Sequence, residues 1–228
     1  ASDVYKRQVL FIYFISLISM TMSGNNVMKN LNWMPHIGMN FNLYVDGLGL
    51  LFSLLITGIG SLVVLYSIGY LSKSEQLGNF YCYLLLFMGA MLGVVLSDNF
   101  IILYLFWELT SFSSFLLISF WREKKASIYG AQKSLIITVL GGLSMLGGII
   151  LLSLATDTFS IQAMISKASD IQNSPFFILA MILFMIGAFT KSAQVPFYIW
   201  LPDAMEAPTP VSAYLHSCLL YTSPSPRD

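Results

Sequence analysis

The chain has 228 residues, 57% hydrophobic and 10% charged, with a mean hydropathy of +0.76 and a formal net charge of +0. A soluble domain is about 25% charged, so that class is excluded, and a neutral chain offers no footing to nucleic acid or an acidic soluble partner. Of the two cysteines, Cys82 lies in an apolar run, so no disulfide framework is indicated.

What remains is an all-α polytopic protein of the cell (inner) membrane, multi-pass and surrounded by the lipid bilayer. The first residues, ASDVYKRQ, are polar and then give way abruptly to apolar sequence. At the other end PVSAYLHS opens a helix and is followed by CLLYTSPSPRD, which carries Pro224 and Pro226. Residues 1–8 and 218–228 read as non-native flanks and are set aside. Residues 9–217 then form a truncated part of one transmembrane domain.

About 20 apolar residues cross the hydrocarbon. Val9 to Met20 is apolar but short, a clipped helix with no small-residue cleavage site after it. Longer spans are expected at Leu43 to Leu71, Tyr81 to Leu96, Asn99 to Trp121, Lys133 to Ala155 and Phe176 to Leu201, with a seventh opening near Val211. Ser97 to Asn99 is a tight polar turn whose Ser and Asp can cap the next helix. Asp46, Asp98, Asp203 and Glu206 fall near helix ends, where capping or interfacial solvation accounts for them. The loop with Arg122, Lys124 and Lys125 marks the cytoplasmic side. Alternation then puts Lys73 inside, and Lys29 and Lys167 outside.

Glu108 breaks the pattern. It sits inside the apolar run Asn99 to Trp121, where an ionisable group costs roughly 2.5–3.5 kcal/mol on insertion scales. Each Leu, Ile or Phe returns about 0.3–0.6 kcal/mol, so the segment can still insert. Tyr104, Glu108 and Ser111 share one helical stripe that can hydrogen-bond the acid. A buried charge at this depth belongs by default to an ion or proton path; the alternative is a structural salt bridge between helices.

Lys191 is the second mid-span charge, with Gly187, Gln194 and Tyr198 on its stripe. Pro196 cannot donate to the carbonyl of Ser192, so a discontinuous helix is expected just after Lys191. Such breaks are tolerated where protein or a cavity satisfies the freed backbone, and transporters place ion sites there. Lys133 heads a face with Ile137, Gly141, Ser144 and Gly148, where small residues allow close helix approach. On residues alone, Lys133 is equally an interfacial anchor or a relay. His216 stands alone beyond the irregular stretch PTP. No phosphate loop, zinc-protease motif or metal-ligand cluster is present, so no metal, no cofactor and no soluble catalytic site are expected.

VDGLGLLFSLL, LSDNFIILYLFWELTSFSSFLLISFW and GAFTKSAQVPFYIWLPDAMEAPTPVSAYLHS together resemble the antiporter-like, proton-conducting membrane subunits shared by respiratory NADH:quinone oxidoreductase (complex I) and Mrp-type sodium/proton antiporters. The resemblance covers nearly all of Asn42 to Ser217. It implies an antiporter-like helix bundle with the family's glutamate at Glu108, its broken-helix lysine at Lys191, and a further lysine and histidine at Lys133 and His216. Complex I members commonly carry an arginine and an aspartate where this chain has Val139 and Gly142, so the resemblance leans to the large subunit of the Mrp-type antiporters.

The implied function is proton translocation within a multisubunit monovalent cation (sodium)/proton antiporter, with other antiporter subunits, protons and sodium as partners and no enzymatic chemistry of its own. The alternative is a proton-pumping membrane subunit of NADH:quinone oxidoreductase. In either case burial favours the neutral forms of Glu108 and Lys191, while their mutual attraction favours the charged forms. Approach or separation of the two would therefore hold or release a proton.

Overall fold

The computed structural model describes residues 2–22, 27–34, 39–71 and 77–220, with side chains described except at 2–8, 30–34, 39–40 and 215–220. Helix α1 (Ser2–Met22) is followed by an antiparallel hairpin, β1 (Val27–Met34) and β2 (Met39–Val45), in register Val27↔Val45 and Asn30↔Asn42. Four helices long and apolar enough to cross a membrane come next: α2 (Gly47–Tyr70), α3 (Leu77–Leu96), α4 (Phe100–Ile118) and α5 (Lys125–Thr156). Two short helices, α6 (Ile161–Ser166) and α7 (Ala168–Asn173), lead to α8 (Phe177–Lys191). A 3-10 turn (Phe197–Trp200), α9 (Leu201–Ala204) and α10 (Thr209–Leu220) complete the described chain. It is a multi-pass membrane protein of predominantly helical class.

Several boundaries depart from the sequence expectation, among them α3, which begins at Leu77, and α4, which ends at Ile118. Leu43 belongs to β2, not to the second span, because MNFNLYV alternates polar and apolar residues at the strand period. Helix α5 begins at Lys125, about two turns before Lys133, so Lys133 lies within the helix instead of at its entrance. Phe176 to Leu201 is not one kinked rod but α8, a loop, the 3-10 turn and the start of α9.

Asp46 caps α2 as expected, its carboxylate accepting from Gly49 N at 2.7 Å. Helix α4 is capped by Asn99, whose Oδ1 accepts from Ile101 N at 3.0 Å, and not by Ser97 or Asp98. The buried Asp98 is used across the end of the bundle: it accepts from Ser160 Oγ at 2.9 Å and Gln162 N at 3.1 Å. Asn42 O accepts from Asp98 N at 3.0 Å. Thus the turn ties the hairpin, α3, α4 and α6 together. Lys167 closes the same end, donating to Thr156 O at 2.7 Å. Lys73 lies outside the described residues.

The main core joins α2, α3, the end of α4 and α10 through Ile56, Val64, Phe80, Leu84, Leu117 and Tyr214. Tyr214 Oη donates to Ile56 O at 3.1 Å and its ring meets Phe87 edge to face. Three buried hydroxyls are satisfied within their own helix: Ser53, Thr57 and Thr138 donate to carbonyls four residues back. The opposite faces expose Leu62, Ile68, Leu140, Leu154 and Ile178. Water would not tolerate so broad an apolar surface, whereas acyl chains complement it.

Candidate functional site

The stripe on α4 turns Tyr104 and Glu108 toward Gly142 and Ser111 toward Lys191. Glu108 Oε1 is buried, with no hydrogen-bond partner among the described protein atoms. Opposite it stands Gly142 of α5, where an added Cβ would overlap Glu108 Oε1 and lie 3.7 Å from Tyr104 Cε2. The missing side chain at 142 is the space that the carboxylate occupies. One turn along α4, the buried Ser111 accepts from Lys191 Nζ at 2.7 Å. The same ammonium lies 5.6 Å from the Trp107 ring centroid, within cation–π range. Glu108 and Lys191 are therefore brought to α4 one turn apart, Lys191 through Ser111 and Trp107, with no direct hydrogen bond between them among the described residues.

Lys191 is the last residue of α8, and the way that helix ends fixes its position. Gln194 N donates to Phe189 O at 2.9 Å and Ala193 N to Thr190 O at 3.4 Å, the paired closing bonds of a Schellman cap. Ala193 holds the left-handed position at φ 52, which usually falls to glycine. Trp200 Nε1 donates to Thr190 O at 3.0 Å, giving that carbonyl a buried second partner. The break thus falls where Pro196 leads one to expect it, but through a different residue. The chain has already turned at Ala193, and Pro196 begins the 3-10 turn, without an N–H to restart a helix. Gln194 and Tyr198 consequently do not continue the Lys191 stripe.

Lys133 has a partner that spacing does not suggest. Its Nζ lies 2.7 Å from Asp203 Oδ2, the two side chains 27% and 37% exposed, and 5.7 Å from the Tyr129 ring. Asp203, expected as a capping or interfacial residue, is instead the acid half of an ion pair from α9 to α5. Gly130, three residues before Lys133, has no Cβ to collide with Asp203 O, which is what lets α9 sit so close. The remainder of the Lys133 face forms the α5–α8 seam: a Cβ on Gly141 would overlap Thr190, and one on Gly148 would lie 2.8 Å from Ala180 O. His216 is on α10, but its side chain lies outside the described residues. Among the described residues no group of three His, Cys, Asp or Glu could hold a metal ion.

Residues 97–223 match the family described as NADH:quinone oxidoreductase/Mrp antiporter, TM. The chain belongs to that family. Residues 33–81 match a second description, NADH-Ubiquinone oxidoreductase (complex I), chain 5 N-terminus. Among relatives, the Na(+)/H(+) antiporter A1 subunit of Staphylococcus epidermidis is 98% identical over 212 residues, covering 93% of this chain and 26% of the relative. The protein of the same name from Staphylococcus aureus is 85% identical over the same coverage. This chain therefore spans about a quarter of the curated relatives it matches. A chain in the solved structure of the Mrp complex from Dietzia sp. DQ12-45-1b superposes with a TM-score of 0.79 at 38% identity, over 84% of this chain and 21% of that one. A chain of the membrane-bound sulfane sulfur reductase, an archaeal respiratory membrane complex, shares the fold alone: TM-score 0.84, 22% identity, 96% and 46% covered.

Gly142 faces Glu108 directly. A carboxylate there would crowd a second acid against the first.

Proposed function

We propose that this chain is part of the proton-translocating membrane subunit of a multisubunit sodium/proton antiporter, acting with other antiporter subunits. The observation that carries the reading is Lys191 Nζ held on Ser111 one turn from a buried Glu108 oxygen that no donor among the described residues satisfies. An acid left unsatisfied in an apolar setting is costly as a purely structural element, and a proton is the simplest thing that relieves it. Glu108 and Lys191 would exchange proton occupancy as their separation changes, burial opposing their charged forms and mutual attraction supporting them. The name shared by the relatives at 98% and 85% identity, and the glycine facing Glu108, favour the antiporter over a quinone-reductase subunit. Lys133 and His216 are proposed as further members of the path, and Pro196 as the residue that keeps the broken helix from closing.

The test uses a full-length protein carrying this sequence, with its partners, in everted vesicles. Glu108→Gln and Lys191→Ala are each expected to abolish sodium-dependent proton exchange while the protein inserts at normal levels. Retained exchange in either variant would reduce that residue to scaffolding.

A further inference from the structure

We propose that the Asp203–Lys133 ion pair is a latch that sets the position of Lys191, which makes Asp203 a positioning residue; the inference rests on the proton-transfer reading of Glu108 and Lys191. The segment from Lys191 to Asp203 leaves the end of α8 and runs back to α5 as a strap fixed at both ends. At its start, Thr190 fills the space over Gly141, and Trp200 reaches back to Thr190 O at 3.0 Å. At its far end, Asp203 O lies in the notch over Gly130, Ala204 is 0% exposed, and Asp203 Oδ2 meets Lys133 Nζ at 2.7 Å. Along α5 the contacts at Gly141 and Lys133 are separated by roughly 12 Å, at 1.5 Å per residue.

Between those anchors Val195 is 76% exposed, Tyr198 51% and Ile199 49%, so little of the described protein covers the middle of the strap. Trp200 ties the far end back to Thr190 O, beside Lys191, so a shift at Asp203 reaches the ammonium on Ser111 through that bond. The charged contact at Asp203 is the polar fastening of that far end, and its partial exposure lets it open.

The experiment measures sodium-dependent proton exchange per inserted protein in the full-length, assembled complex. Asp203→Asn is expected to lower the maximal rate about tenfold or more, the scale of an ångström-sized misplacement of a reacting group, with apparent sodium affinity unchanged. Asp203→Glu should keep most of the rate. That order, glutamate above the isosteric asparagine, is one that a merely space-filling role would not give. A wild-type rate for Asp203→Asn, or an Asp203→Glu rate no better than that of Asp203→Asn, overturns the latch. If Asp203→Asn fails to insert, Asp203→Glu decides: normal insertion and rate support the latch, and their loss overturns it. Glu108→Gln in the same vesicles separates the two levels. Its loss of exchange beside a wild-type Asp203→Asn sinks the latch alone, whereas its retained exchange sinks the proton-transfer reading itself.

Discussion

Replacing Gly142 by alanine tests the arrangement of the site with one methyl group. The new Cβ would overlap Glu108 Oε1, and the next nearest atom, Glu108 Cδ, would lie at 3.0 Å. The obstructing atom is the far end of a flexible side chain, so the helix need not move, but the carboxylate must withdraw by more than an ångström to reach ordinary contact. Alanine is about 1 kcal/mol better than glycine inside a helix, and forcing Glu108 off its rotamer costs about 0.5–1.5 kcal/mol. The two nearly cancel, so insertion and stability should stay close to wild type. Function should not. A group displaced by about an ångström can cost up to 100-fold in rate, and we expect at least a tenfold drop in exchange. The assay is sodium-dependent proton uptake in everted vesicles, normalised to inserted protein, with thermal stability of the solubilised protein measured in parallel. A Gly142→Ala variant that exchanges at the wild-type rate would refute the claim that the carboxylate works from this place.

Two further substitutions probe the other side of the pair. Ser111→Ala removes the acceptor of the Lys191 hydrogen bond, worth about 1.5–3 kcal/mol for a charged donor. Exchange should fall severely without loss of insertion, Ser111→Thr should retain most of it, and an unaffected alanine variant would show that Lys191 acts elsewhere. Trp200→Phe deletes the bond to Thr190 O and should cost about 1–2 kcal/mol, read as a lower unfolding temperature of the solubilised protein; an unchanged melt would mean the Schellman cap alone secures the break.

Local periodicity made the acid's side of the site legible. Tyr104, Glu108 and Ser111 share a stripe because a helix repeats every 3.6 residues, and the structure keeps Tyr104 and Glu108 at Gly142 while turning Ser111 to Lys191. The place of the break was legible from Pro196, but its agent was not. Alanine at 193 carries no signature of a left-handed turn, and φ 52 there is enforced by the Schellman bonds around it. Lys133 and Asp203 are 70 residues apart, a distance at which no spacing rule operates; a small residue one turn before Lys133, at Gly130, was the only local hint. The hairpin was written in the alternation of MNFNLYV. Counting apolar length for spans absorbed Leu43 into a helix and hid it. Ser97 and Asp98 were the expected caps of α4; Asn99 takes that role while Asp98 is engaged by Ser160 and Gln162, far along the chain.

The two glycines at 141 and 142 explain why α5 matters although it supplies neither the acid nor the amine of the central pair. Consecutive residues on a helix point about 100° apart, so the pair addresses two neighbours at once. Gly141 sets how closely α8 approaches through Thr190, next to Lys191, and Gly142 sets where the Glu108 carboxylate rests on α4. A third contact on the same helix, at Gly130 and Lys133, anchors the strap that follows Lys191. The separation of acid and amine is thus determined by the backbone of a helix between them. A small shift of α5 would change both positions together, which is the kind of motion that the proposed proton transfer between them requires.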